Sequence, residues 1–161
     1  MRNILIYIWR NNHGHGTTYE EVSGRNMKKS REGGCLCGEL RYKVSGAIDD
    51  AGYCHCRICQ LSSGAPVVAW FTIPVSSFFY LLGAPSIYRS SAYSQREFCG
   101  KCGTQIVFRM SDGPVTVDVT IASLDAPSLI EPEYHIWRQS RIPWFETSDS
   151  LPRHDDGGPD Q

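Results

Sequence analysis

The chain of 161 residues has room for one domain of ordinary size. Its 16 basic and 17 acidic side chains leave a formal net charge of −1, which argues against a nucleic-acid partner held on a basic face and against a polybasic membrane anchor. The 7 cysteines are too few for a disulfide scaffold and odd in number, so they point to metal binding in a reducing, cytoplasmic setting.

Residues 1–30 open with a short apolar run, Ile4 to Trp9, too short for a signal segment or a membrane span. The rest of that stretch has neither a helical nor a strand period, and an N-terminal arm without stable structure is expected there. Met27, followed by Lys28 and Lys29 just ahead of the first cysteines, reads as an alternative start. Residues 31–147 form the expected domain. Glu39 to Val44 alternates polar and apolar as a half-buried strand does. Arg57 to Ser63 fits a single helical turn. Pro66 to Ile73 is a continuous branched and aromatic run, and Gln105 to Arg109 reads as a further strand. In Val115 to Ile121 the apolar residues Val115, Val117, Val119 and Ile121 share one face. No stretch supports a long amphipathic helix, so the expected class is all-β. Residues 148–161 are polar and rich in Pro and Gly, a composition that predicts a disordered tail.

The cysteines fall into three groups: Cys35 and Cys37; Cys54, Cys56 and Cys59; Cys99 and Cys102. Cys99-Gly100-Lys101-Cys102-Gly103 reads as a zinc knuckle, its glycines letting backbone amides turn toward sulfur. A knuckle supplies two ligands and tetrahedral zinc takes four. Cys35 and Cys37, which a strand would place on one face, supply the other pair. That closed four-thiolate site is structural, with a redox pair at Cys99 and Cys102 as the alternative. Cys54, Cys56 and Cys59 remain, and three protein ligands with an open fourth position is the pattern of a catalytic zinc. The alternatives are a second structural zinc completed by a distant residue such as His135, or a redox thiol cluster. His55, between two of the thiols, points away from the metal on an extended backbone.

Gly33-Gly34-Cys35-Leu36-Cys37-Gly38, the Cys54 to Cys59 cluster with Gly64, Arg96 to Thr104, Ser123 to Pro127 and His135-Ile136-Trp137 together resemble the glutathione-dependent formaldehyde-activating enzyme family, which also includes centromere protein V. The similarity spans roughly Arg31 to Glu146. It implies a β-tent fold of antiparallel sheets pinned by a structural zinc at Cys35, Cys37, Cys99 and Cys102. It also implies a second, catalytic zinc at Cys54, Cys56 and Cys59, hence two Zn²⁺ per chain. The activity implied is that of a carbon–sulfur lyase joining glutathione and formaldehyde into S-(hydroxymethyl)glutathione. A non-catalytic zinc-stabilised binding module of the same fold is the alternative.

Glutathione carries carboxylates, so a cation is expected near the second zinc, and Arg57 is the best placed by sequence; a solvated surface arginine is the competing reading. Trp70 and Phe71 read as core in preference to pocket. His135, Trp137 and Trp144 either wall the site or pack as a C-terminal edge. Asp125 is expected to cap its own turn. The expected partner is a small thiol such as glutathione, with no nucleic acid and no membrane.

Overall fold

Branched and aromatic residues at alternate positions set the strands of this protein, and turns at glycine or proline end them. The computed structural model describes residues 30–158. In chain order the strands among the described residues are β1 (Arg31–Gly34), β2 (Arg41–Val44), β3 (Asp50–Cys54), β4 (Val68–Pro74), β5 (Phe78–Leu82), β6 (Ser86–Arg89), β7 (Ser94–Phe98), β8 (Gln105–Met110), β9 (Thr116–Thr120) and β10 (His135–Ile136), with an α-helix, α1 (Arg57–Ser63), between β3 and β4. The fold is mainly β, as the pattern predicts. Among the described residues no helix is long and apolar enough to cross a membrane.

Two sheets result. The smaller has the order β1-β2-β5 and the larger β10-β3-β4-β9-β8-β7-β6. Neighbouring strands are antiparallel except β10, which lies parallel to β3. The core forms between the sheets. Tyr42, Val44 and Phe78 from the small sheet meet Phe71, Ile73, Val107, Val117 and Val119 from one face of the large one. The Tyr42 and Phe78 rings stack with centroids 5.3 Å apart. A β-bulge in the β7–β8 ladder leaves Ile106 unpaired, and both Ile106 and Val107 are fully buried as a result.

The apolar stripe expected from Val115 to Ile121 is shorter in the structure. Val117 and Val119 lie in β9, Ile121 is buried in the 3-10 turn that follows, and Val115 precedes the strand and is exposed.

The segment from residue 148 also departs from expectation, and the domain boundary at 147 falls too early. Instead of being disordered, residues 149–156 run beside β10. The His135 N–H donates to the Pro152 carbonyl (2.8 Å), and the His154 N–H to the His135 carbonyl (2.8 Å). Trp137 and Arg138 donate to the carbonyls of Asp156 (2.7 Å) and His154 (3.0 Å). These bonds use backbone groups, to which a reading of side-chain composition is blind. The N-terminal arm and the start at Met27 lie outside the described residues.

Candidate metal centre and its cavity

The first sulfur group joins two turns. Cys35 to Gly38 is a turn that follows β1, not the strand expected from the Cys-x-Cys spacing. The Gly38 N–H donates to the Cys35 carbonyl (3.1 Å), and Gly38 takes φ +80°, a left-handed conformation that glycine adopts freely. The second turn has the knuckle geometry, with the Gly103 N–H donating to the Cys99 carbonyl (2.8 Å) and Gly103 at φ +77°. The Thr104 hydroxyl oxygen accepts from the Leu36 N–H at 3.1 Å and ties the turns together. Cys35 Sγ lies 3.5 Å from Cys37 Sγ, which lies 3.7 Å from Cys99 Sγ. With Cys102, the four sulfurs fall within 4.8 Å of one another. Hydrogen bonds from the Thr104 hydroxyl and then its N–H hold the Cys102 thiol down at about 5.

The second group sits where β3 passes into α1. Cys54 is the last residue of β3, and Cys56 is the N-cap of α1, extended at φ −62° and ψ 148°. Its sulfur accepts the Cys59 N–H at 3.3 Å, one of the free donors of a helix start. The helix then brings Cys59, three residues on, to the same side as Cys56. The three sulfurs lie within 4.8 Å of one another. His55 points the opposite way: it is fully buried, and its Nε2 lies 2.8 Å from His135 Nδ1. Burial, then the neighbouring His135, pushes the His55 imidazole down to about 4. Gln60 holds the loop, its amide donating to the carbonyls of His55 (2.8 Å) and Ser140 (3.0 Å).

Sulfurs this close cannot all ionise unaided. Hydrogen bonds from Cys54 and then Cys59 pull Cys56 down to about 2, and the same contacts push Cys54 far up. A bound cation removes that conflict, and an all-sulfur donor set suits a thiophilic metal. Both groups therefore fit a metal ion. All seven cysteines are free thiols, and among the described residues no further His, Cys, Asp or Glu joins either group.

The three-sulfur group opens on a cavity of about 420 Å³ against the outer face of the large sheet. Strand register builds its floor. Asp50 of β3 stands opposite Thr72 of β4, which stands opposite Asp118 of β9. Asp118 pairs with Phe108 of β8, and Phe108 with Arg96 of β7. Directly paired residues share a face, so this row across five strands faces the cavity while the alternate residues fill the core. The Thr72 hydroxyl donates to Asp118 Oδ1 (2.7 Å), and burial pushes the Asp118 carboxyl up. The Tyr134 hydroxyl donates to Asp50. Arg96 is 6% exposed, with its guanidinium carbon 5.0 Å from the Phe108 ring centroid and its Nη2 donating to Cys59 Sγ at 3.6 Å. Its Nε and Nη1 have no hydrogen-bond partner among the described residues.

The structure redistributes the other residues picked from sequence. Arg57 does not line the cavity; it is exposed on the outer side of α1, where Nη1 donates to Gln60 Oε1 (3.2 Å). The first turn of a helix carries successive residues to different sides, and the sulfurs take the inner one. Arg96, from a strand remote in sequence, is the guanidinium beside the thiols. Trp70 and Phe71 part company, Trp70 lining the cavity and Phe71 buried in the core. Trp137 is a wall of the cavity, held at φ 58°, a region that side chains other than glycine rarely enter. His135 lies behind the thiol loop, and Trp144 is exposed. Asp125 does not cap its turn but forms a bidentate ion pair with Arg41.

The family model of the glutathione-dependent formaldehyde-activating enzyme matches residues 30–140, a span that holds both sulfur groups and the whole cavity floor. The chain belongs to this family. One relative is an uncharacterized lyase of Schizosaccharomyces pombe, 29% identical over 90 residues, which cover 51% of this chain and 59% of the relative. The chain thus spans about three fifths of the length of the curated relative it matches. A crystal structure of a Rhodobacter sphaeroides protein is similar at a TM-score of 0.50 and 26% identity, covering 63% of this chain and 96% of that one. The segment that runs beside β10 lies beyond the family match, so this member's site is buttressed by residues outside it.

Proposed function

We propose that this protein is a zinc-dependent, cytoplasmic enzyme of the carbon–sulfur lyase kind, acting on the adduct of a small thiol with a carbonyl compound. The reaction resembles the joining of glutathione and formaldehyde into S-(hydroxymethyl)glutathione. One observation carries the reading: three sulfurs, two of them on buried residues, converge at the wall of a cavity, while the other four close upon one another. In this reading Cys35, Cys37, Cys99 and Cys102 hold a structural zinc that pins the β-tent. Cys54, Cys56 and Cys59 hold a second zinc, which when bound supplies a position that acidifies a substrate thiol.

Addition forms one C–S bond and moves the thiol proton to the carbonyl oxygen; lysis reverses both. The chain's own residues serve each part. Arg96 donates to Cys59 and sets a positive charge against the thiolate-rich wall. Trp70 and Trp137 shield the cavity from bulk water. Asp118, whose burial raises its proton affinity, accepts or releases a proton within the cavity.

Cobalt in place of zinc tests the reading. Glutathione should shift and intensify the visible bands of the protein as a further thiolate joins the three, and should fail to do so in Cys56→Ser. If no low-molecular-weight thiol perturbs the spectrum at millimolar concentration, the domain is a metal-stabilised binding module and the enzyme reading falls.

A further inference from the structure

A second concavity adjoins the thiol cavity. It measures about 520 Å³ and is lined on its apolar side by Ile58, Leu61, Tyr88 and Phe98. Ile58, Leu61 and Tyr88 are 53%, 68% and 64% exposed, a concentration of apolar area that a solvent-facing surface has no reason to gather. The two cavities share Ile58, Ser90 and Arg96, so they form one continuous depression. Helix α1 spans both: Cys59 faces the thiol cavity and Leu61, two residues on, faces the groove.

The polar side of the groove is unfinished. Arg96, more than nine-tenths buried, borders it with Nε and Nη1 unpartnered among the described residues. The Gln105 side-chain amide, also at the groove, has neither its oxygen nor its nitrogen paired among the described residues. Buried polar groups are normally satisfied, and here an incoming oxygen would accept from the Arg96 and Gln105 N–H groups, while an incoming O–H or N–H would donate to Gln105 Oε1.

We propose that this groove is a subsite for the hydrocarbon or aryl part of the substrate, and that the site's ligand is an amphiphilic thiol adduct whose apolar body extends from the three-thiol wall over Leu61 and Tyr88. The inference rests on reading that wall as the thiol-binding centre. Combined cavities of this size accommodate a ligand well beyond a one-carbon adduct. The occupant follows from continuity: an apolar chain anchored by sulfur beside Cys59 passes Ile58, which lines both cavities, and enters the groove.

The test uses the full-length cobalt-loaded protein titrated with ethanethiol, butanethiol and hexanethiol, following the visible bands. Each added methylene should tighten binding about fourfold, as expected for burial of a CH₂ group. Leu61→Asp and Tyr88→Asp should flatten that series and leave ethanethiol affinity within about twofold of wild type. Independently of the metal, hexanol should perturb the Leu61 methyl resonances. Thiols that bind with no dependence on chain length, or a dependence that survives both substitutions, overturn the inference while the thiol-centre reading stands. Thiols that leave the spectrum unchanged overturn the thiol-centre reading and, with it, the thiol adduct proposed for the groove, whatever hexanol does at Leu61. If Leu61→Asp instead converts a dimer to a monomer and chain length has no effect, the groove is an interface between copies and the inference falls.

Discussion

His55 Nε2 and His135 Nδ1 lie 2.8 Å apart across 80 residues of sequence, and neither ring reaches solvent. His135 Nε2 lies 3.2 Å from both carboxylate oxygens of Asp149, which sets the tautomers. His135 donates from Nε2 to Asp149, leaving Nδ1 to accept from His55 Nε2–H. The loop between Cys54 and Cys56 is thereby fastened to the segment after residue 148. His135→Leu would leave the His55 donor buried and unpaired, and should cost about 2–3 kcal/mol in urea denaturation. His135→Gln, which keeps an acceptor, should cost less.

Ending the chain at Thr147 tests the same fastening from the other side. It removes Asp149 and the carbonyls that accept from His135, Trp137 and Arg138. Amide hydrogen exchange at those three residues should accelerate strongly, while the amides of β4 and β9, which lie inside the large sheet, keep their protection.

The two sulfur groups should respond differently to loss of one ligand. Cys99→Ser opens the tie between turns that are 62 residues apart at Cys37 and Cys99, and should lower the melting temperature of the whole domain. Cys56→Ser should leave the domain folded and reduce elemental zinc from two ions per chain to one. A metal-replete wild type that never exceeds one zinc contradicts the assignment of two sites.

Asp118 supplies a pH signature. Burial raises its carboxyl above the ordinary value of 3.8, so the folded state holds the proton more tightly than the unfolded one. Its favourable contribution is complete below about pH 3.8 and is lost as the pH rises through the folded value. Asp118→Asn keeps an oxygen for the Thr72 hydroxyl and removes the buried charge. The variant should therefore be more stable than wild type at pH 7, with the gain vanishing as the pH falls toward 3.8. An equal difference at pH 4 and pH 7 in denaturant titrations would contradict the burial of this carboxyl.

Much of this was legible in the chain because the signals were local. Cysteine spacing divides the thiols as the fold does, and the run from Pro66 to Ile73 announces β4, which begins at Val68. What escaped depended on register. Arg57 looked suitable because it lies among the thiols in sequence, yet the helix turns it outward. Arg96 and Asp118 carried a fainter sign: Asp118 is the polar residue between Val117 and Val119, the mark of a strand whose two faces do different work. Which strands stand side by side, and so that Asp50, Asp118 and Arg96 line one row, comes from pairing across up to 46 residues between neighbouring strands. The ordering of residues 149–156 rests on backbone bonds that no composition reports.

The row from Asp50 to Arg96 and the packed layer of Phe71, Val107, Val117 and Val119 are opposite sides of the same strands. With a period of two, one residue inserted into β9 would exchange the sides, sending Val117 and Val119 into the cavity and Asp118 into the interior. Length within β9 is consequently frozen, and insertions there are confined to its flanking turns. Substitution is not frozen: every second position can change its chemistry without disturbing the hydrophobic layer beneath. A chain built this way can be redirected to a new ligand one side chain at a time, with its thiol cluster and its interior left in place.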